Sequence, residues 1–142
     1  MYPFKSSGRI VAGSSLESFT KARPWWMILQ CDPGIMEYYR WWIHNHQRDV
    51  WGRQVYKTCP PLARSHISIV RGEAPKDQKV WNELIGRRFE FKYNNKLETN
   101  GKHWWVYVDA PELLEVRRNL GLRPPKYQFH LTVATNAENC LV

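Results

Sequence analysis

Two stretches of the chain repeat one short pattern. His66-Ile67-Ser68-Ile69 and His130-Leu131-Thr132-Val133 each read imidazole, apolar, hydroxyl, apolar. A half-buried strand requires such alternation, because residues i and i+2 share a face and their neighbours turn the other way. Each segment would then present an imidazole beside a hydroxyl and bury two apolar side chains. Histidine titrates near neutrality, so one imidazole can take a proton from an attacking oxygen while the other gives a proton to a leaving oxygen. The hydroxyls of Ser68 and Thr132 would hold the non-bridging oxygens, where charge grows in the transition state. His66, Ser68, His130 and Thr132 are thus candidates for phosphodiester chemistry without a metal, with the order of acid and base left open. A lone histidine on a strand is usually a packing or surface residue. Two matched tetrads on matched elements reverse that expectation.

Around them lie candidate substrate-binding residues. Arg71 and Lys126 are close in sequence to the tetrads and can pair with phosphate, although a solvated surface charge is the commoner role. Trp26, Trp104, Trp105 and Tyr127 offer rings for a nucleobase, against the usual fate of Trp in a core. Neighbouring strand residues face opposite ways, so one of Trp104 and Trp105 should be core and the other, taken as Trp105, exposed. The candidate binding set is Trp26, Arg71, Trp105, Lys126 and Tyr127. His44 and His46 invite a metal reading, but side chains two apart on a helix diverge by about 200°. With no HExxH, CxxC or phosphate-loop motif in the chain, no metal and no cofactor are expected. Glu73 follows Gly72 and is expected to cap the helix near Pro75 rather than act in catalysis.

These residues must be placed by a framework. Residues 1–24 are rich in Ser and Gly and are expected to form an arm or irregular lead-in. Trp25 to Leu29 reads as a buried strand ended by Asp32-Pro33-Gly34, and the 3.6 period of Ile35, Tyr38, Tyr39, Trp42, Ile43 and His46 predicts a helix over 33–47. A long loop is expected over 48–64 and a strand over 65–70. A helix around Val80 to Ile85 is stopped by Gly86. Strands follow at Arg88 to Tyr93 and His103 to Val108, then a helix from Pro111 to Gly121, and a last strand over 127–133. The order implies an α+β or α/β fold with one domain over 25–142. Strand, helix, strand recurs at 25–70 and 103–133, so a pseudo-symmetric, two-lobed sheet is expected.

The chain has 142 residues, 43% of them hydrophobic, which suffices for one core. Its longest apolar runs are five residues, far short of the about 20 that a membrane span needs. Lys and Arg number 21 against 13 Asp and Glu, a net charge of +8, which points to an anionic partner. The basic residues are dispersed, and the longest runs are the pairs Arg87-Arg88 and Arg117-Arg118. A small polyanion therefore fits better than a long nucleic acid. Cys31, Cys59 and Cys140 are odd in number and widely spaced, which argues for a reducing compartment and against a disulfide framework. The start of the chain carries no apolar stretch of the secretory kind. A cytoplasmic protein with no membrane partner is expected; the oligomeric state is not legible.

Paired His-x-Ser/Thr tetrads about 60 residues apart resemble those of the two-histidine (2H) phosphoesterase superfamily. The strings Tyr38-Tyr39-Arg40-Trp41, Ser65-His66-Ile67-Ser68-Ile69-Val70-Arg71-Gly72-Glu73, Asn119-Leu120-Gly121-Leu122 and Phe129-His130-Leu131-Thr132-Val133 are similar to a phage branch, the anti-CBASS cyclic-oligonucleotide phosphodiesterases. That resemblance implies a bilobal fold of antiparallel-rich sheets with flanking helices and the four tetrad residues in a central cleft. It implies cleavage, without a metal, of cyclic di- or trinucleotides that infected bacteria make as alarm signals. The 2′-hydroxyl would attack the adjacent phosphate and leave a linear product ending in a phosphate. Three other readings compete: an enzyme that opens 2′,3′-cyclic phosphates on RNA, a non-catalytic sponge for cyclic nucleotides, and a single-stranded RNA-binding module.

Overall fold

The alternating segments become strands that bury one face and hold the other toward a groove. The computed structural model describes residues 1–12, 25–53 and 57–139. In chain order the elements are β1 (Phe4–Ala12), β2 (Trp26–Cys31), α1 (Pro33–His46), β3 (Thr58–Cys59), β4 (His66–Arg71), α2 (Gln78–Leu84), β5 (Arg88–Tyr93), β6 (Glu98–Thr99), β7 (His103–Asp109), α3 (Pro111–Asn119) and β8 (His130–Asn136). A short 3-10 turn at Ala137–Asn139 follows. This is an α+β fold: an antiparallel eight-stranded sheet in the order β3-β8-β4-β2-β1-β5-β7-β6, flanked by three helices among the described residues.

β8 also pairs with β7. The succession β8-β4-β2-β1-β5-β7 therefore returns to β8 and closes a ring of strands, with β3 and β6 attached to it. Closure leaves neither tetrad strand at an edge. Ile67, Ile69, Leu131 and Val133, the apolar members of the tetrads, are at most 2% exposed. They pack with Met27 and Leu29 of β2 and with Ile35, Tyr39 and Ile43 of α1.

Local chemistry sets the helix starts. Asp32 caps α1 by accepting a hydrogen bond from the Gly34 N–H at 2.9 Å, and Pro33 opens the first turn, where its missing N–H is not needed. Asp77 caps α2 by accepting from the Val80 N–H at 3.1 Å. Glu73 is therefore not the cap expected for that helix. It pairs instead with Arg117 of α3, at 2.9 Å and 2.8 Å through its two oxygens. Arg117 is 3% exposed and also donates to the carbonyls of Ile69 (2.8 Å) and Arg123 (2.6 Å). One guanidinium thus ties β4 to the segment that leads into β8.

Three further expectations are corrected. The first half of the supposed lead-in is β1, an inner strand between β2 and β5; residues 13–24 lie outside the described residues. Its Gly8 is required by close approach, since a Cβ there would come within 2.6 Å of the Gln30 carbonyl oxygen and 2.8 Å of Leu29 Cγ. The last strand begins at His130 rather than at residue 127, because the backbone bends at Lys126 and Tyr127. Cys59, on β3, is disulfide-bonded, against the expectation of free thiols, while Cys31 is a buried free cysteine. No described helix is long and apolar enough to cross a membrane.

Candidate active site

β4 and β8 run side by side with His66 opposite Thr132 and Ile67 opposite Leu131. Continuing that antiparallel register puts Ser68 level with His130. Each histidine therefore stands across from the hydroxyl residue of the other tetrad, and the two histidines form a diagonal pair, a separation of about 7–8 Å between Cα atoms on a sheet. His66, Ser68, His130 and Thr132 all line one groove of about 780 Å³.

The two rings are held alike. Nδ1 of His66 lies 2.8 Å from the Arg64 carbonyl oxygen, and Nδ1 of His130 lies 3.1 Å from that of Gln128. In both cases the partner is two residues upstream. A carbonyl only accepts, so each ring must carry its proton on Nδ1, which leaves Nε2 as the atom that meets a ligand. Arg64 adopts φ 59°, a left-handed conformation uncommon outside glycine, and so aims its carbonyl at His66. Each ring also has a tryptophan beside it: Trp26 at 6.3 Å from His66 and Trp105 at 5.8 Å from His130, between ring centres. The pseudo-symmetry seen in the sequence extends to the support of each histidine.

His66 is nearly buried. Desolvation pushes its pKa down from 6.5 to about 4; the Arg64 hydrogen bond opposes this, and the charges of Arg71, His130 and His103 add to it. At neutral pH in the free protein its Nε2 is therefore an unprotonated acceptor, as a general base must be.

Both strands depart from regular alternation just after the hydroxyl. The β2–β4 register shifts between Met27 and Ile28, which sit opposite Val70 and Ser68, so β4 carries one extra residue there. The β7–β8 register shifts between Trp104 and Trp105, which sit opposite Ala134 and Thr132, so β8 carries one too. A bulge of this kind re-aims the residues beyond it. Val70 and Ala134, which strict alternation would turn to the groove, are fully buried, and Arg71 and Thr135 line the groove in their place.

Of the candidate binding residues, Trp26, Arg71, Trp105 and Tyr127 line the groove. Trp104 is fully buried, whereas Trp105 is half-buried on the groove wall rather than exposed. The Arg71 guanidinium lies over the Trp26 ring at 5.8 Å. Lys126 is not among the lining residues; its ammonium sits over the Tyr127 ring at 5.4 Å. Sequence reasoning missed His103, Tyr107, Asn100 and Gln128, all on the groove wall. His103 and Tyr107 were legible in principle, because they alternate with buried Trp104, Val106 and Val108 on the same strand as Trp105. Among the described residues no Asp or Glu lines the groove, which suits an anion.

The excluded histidine pair is explained by separate contacts. Nε2 of His44 meets the Thr58 hydroxyl at 2.9 Å and secures β3 to α1, whereas His46 stacks on Trp42 at 4.8 Å between ring centres. Among the described residues no group of three or more His, Cys, Asp or Glu is placed to hold a metal ion. What the site offers is a histidine-centred arrangement compatible with a metal-independent phosphoesterase mechanism. The fold and the paired histidines are consistent with the two-histidine phosphoesterase superfamily rather than with any one family inside it. Comparison with family models, with curated proteins and with solved structures finds no match.

Proposed function

We propose that the protein is a metal-independent phosphodiesterase that opens cyclic di- or trinucleotide signals, with a bilobal arrangement of the sheet about the groove. The observation that carries this reading is the matched pair of imidazoles. Each is tethered through Nδ1 to a carbonyl two residues upstream, and each turns Nε2 to one groove that no Asp or Glu lines among the described residues. His66 is the base. Its Nε2 takes the proton of the ribose 2′-hydroxyl as that oxygen bonds to the adjacent phosphorus. The bond from phosphorus to the 5′-oxygen breaks, and His130, carrying a proton on Nε2, gives it to that oxygen. Ser68 and Thr132 donate to the non-bridging oxygens as their charge increases. The product is linear and ends in a 2′,3′-cyclic phosphate, which water opens to a phosphate monoester in a second step. The similarity of the tetrad strings to phage enzymes supports a role in silencing a bacterial antiviral alarm. In that role the protein would act in the cytoplasm of the infected host and need no cofactor.

The test is incubation of the pure protein with a cyclic dinucleotide in excess EDTA, with products followed by chromatography. Linear product, lost in His66→Ala and in His130→Ala, is expected. Retention of unaltered ligand would instead describe a sponge. Opening of a 2′,3′-cyclic RNA end with no action on the ring would move the substrate class to RNA.

A further inference from the structure

The two histidines stand at different places along the groove. His66 lies opposite Thr132, on the side of Ala134 and Thr135, whereas the continued register sets His130 level with Ser68, on the side of Gln128 and Tyr127. Two residues of strand separate those positions, about 7 Å. Each ring is also drawn toward its own end, because Nδ1 of His66 is tethered to the Arg64 carbonyl and Nδ1 of His130 to that of Gln128. The rings differ in solvation as well: His66 is 8% exposed, and His130 is half-buried. The drier ring stays neutral, and the wetter one is free to carry a second proton.

Each end has its own wall. Beyond His66, His103 of β7 stands opposite Thr135, with Nδ1 at 3.2 Å from Thr135 Oγ1. Asn100 braces the turn before it, accepting through Oδ1 from the backbone N–H groups of Lys102 at 3.0 Å and His103 at 2.9 Å, which leaves its NH₂ to a ligand. Beyond His130, Tyr127 and Gln128 line the groove. Tyr127 is 71% exposed, with the Lys126 ammonium over its ring, and Gln128 is fixed by donating from Nε2 to the Tyr2 hydroxyl at 2.9 Å.

We propose that the groove takes its substrate in one direction only: the nucleoside that supplies the 2′-hydroxyl lies at the end of His103 and Asn100, and the nucleoside that departs on its 5′-oxygen lies against Tyr127. The inference rests on the phosphodiesterase reading, with the scissile phosphate between His66 and His130. The neutral ring takes its proton from the nucleoside on its own side, and the protonated ring gives one to the nucleoside on the other. A substrate turned end for end would set its 2′-hydroxyl beside the ring that already holds a proton on Nε2. A cyclic dinucleotide fills both ends. A nucleoside 2′,3′-cyclic phosphate has no departing nucleoside and fills only the end of His103. The Tyr127 end thus separates substrates that are alike at the reacting phosphorus.

Two mononucleotides test the direction without any bond to cleave. With its phosphate between the histidines, 3′-AMP stands for the attacking nucleoside and 5′-AMP for the departing one. Their affinities for the full chain are measured by calorimetry for the unmutated protein, His103→Asn and Tyr127→Ala. Both side chains are exposed, and Asn keeps a polar group near Thr135, so folding is not at stake. His103→Asn should weaken 3′-AMP about threefold to tenfold, the worth of one hydrogen bond, and spare 5′-AMP. Tyr127→Ala should weaken 5′-AMP about tenfold, the low end of a base stacked on an aromatic ring, and spare 3′-AMP. The reverse pattern overturns the assignment, as do equal losses for both nucleotides or failure of either to bind the unmutated protein at millimolar concentration. Cleavage of a cyclic dinucleotide is followed separately. The crossed pattern without cleavage removes the catalytic reading and leaves the direction of binding standing, whereas cleavage without the crossed pattern overturns the direction alone.

Discussion

Burial drives the pKa of His66 from 6.5 to about 4, so between those values the unfolded chain binds a proton that the folded chain does not. Stability must therefore rise with pH across that window and fall as pH drops from 6.5 toward 4. His66→Gln removes the titrating group, and its melting temperature should depend less on pH between 4 and 6.5 than that of the unmutated protein. A parallel pair of curves would mean that the ring is solvated. In the proposed reaction the same neutral ring is the base. The acidic limb of kcat/KM reports the free protein's base, and it should lie near pH 4, well below the limb an ordinary histidine gives. A limb at 6.5 would assign the base to another group. Truncating either imidazole to Ala should lower kcat by about 10²- to 10⁴-fold. Because the two act as a unit, the double variant should fall little further.

Elements decide where these side chains stand. The tetrads were legible because period-two alternation is a strong signal, and it located β4 and the core of β8 correctly. The bulges were not legible, since an extra residue in a strand leaves no mark in a pattern of His, Ser and apolar residues. That is why Arg71 was singled out only for its nearness in sequence, and why Thr135 was not singled out. Arg117 read as half of a dispersed basic pair, yet it is nearly buried against Glu73 and the Ile69 and Arg123 carbonyls. Arg117→Met would leave those acceptors without it and should cost about 3 kcal/mol in urea denaturation. Glu73 is 44% exposed at its side chain, so Glu73→Gln should cost under about 1 kcal/mol. Comparable losses from both would mean that the pair, rather than the carbonyl contacts of Arg117, holds the two segments together.

For the whole molecule, charge and closure matter most. With a net charge of +8 and no carboxylate among the described residues of the groove wall, association with a polyanion should weaken as salt is added, while turnover at saturation stays constant. A KM that ignores ionic strength would place the attraction elsewhere. β1 shows what composition hides. Its Ser and Gly read as a loose arm, but Gly8 lets two strands meet, and Gly8→Ala should cost about 1–3 kcal/mol through overpacking. The ring of strands also has a direction in time. β8 is the last strand among the described residues and joins β3, β4 and β7, so a chain emerging from the ribosome displays β4 with one flank bare until residues 130–136 have emerged. The groove and the ring of strands are then completed in the same step, and any premature stop upstream of that strand leaves an open, adhesive seam.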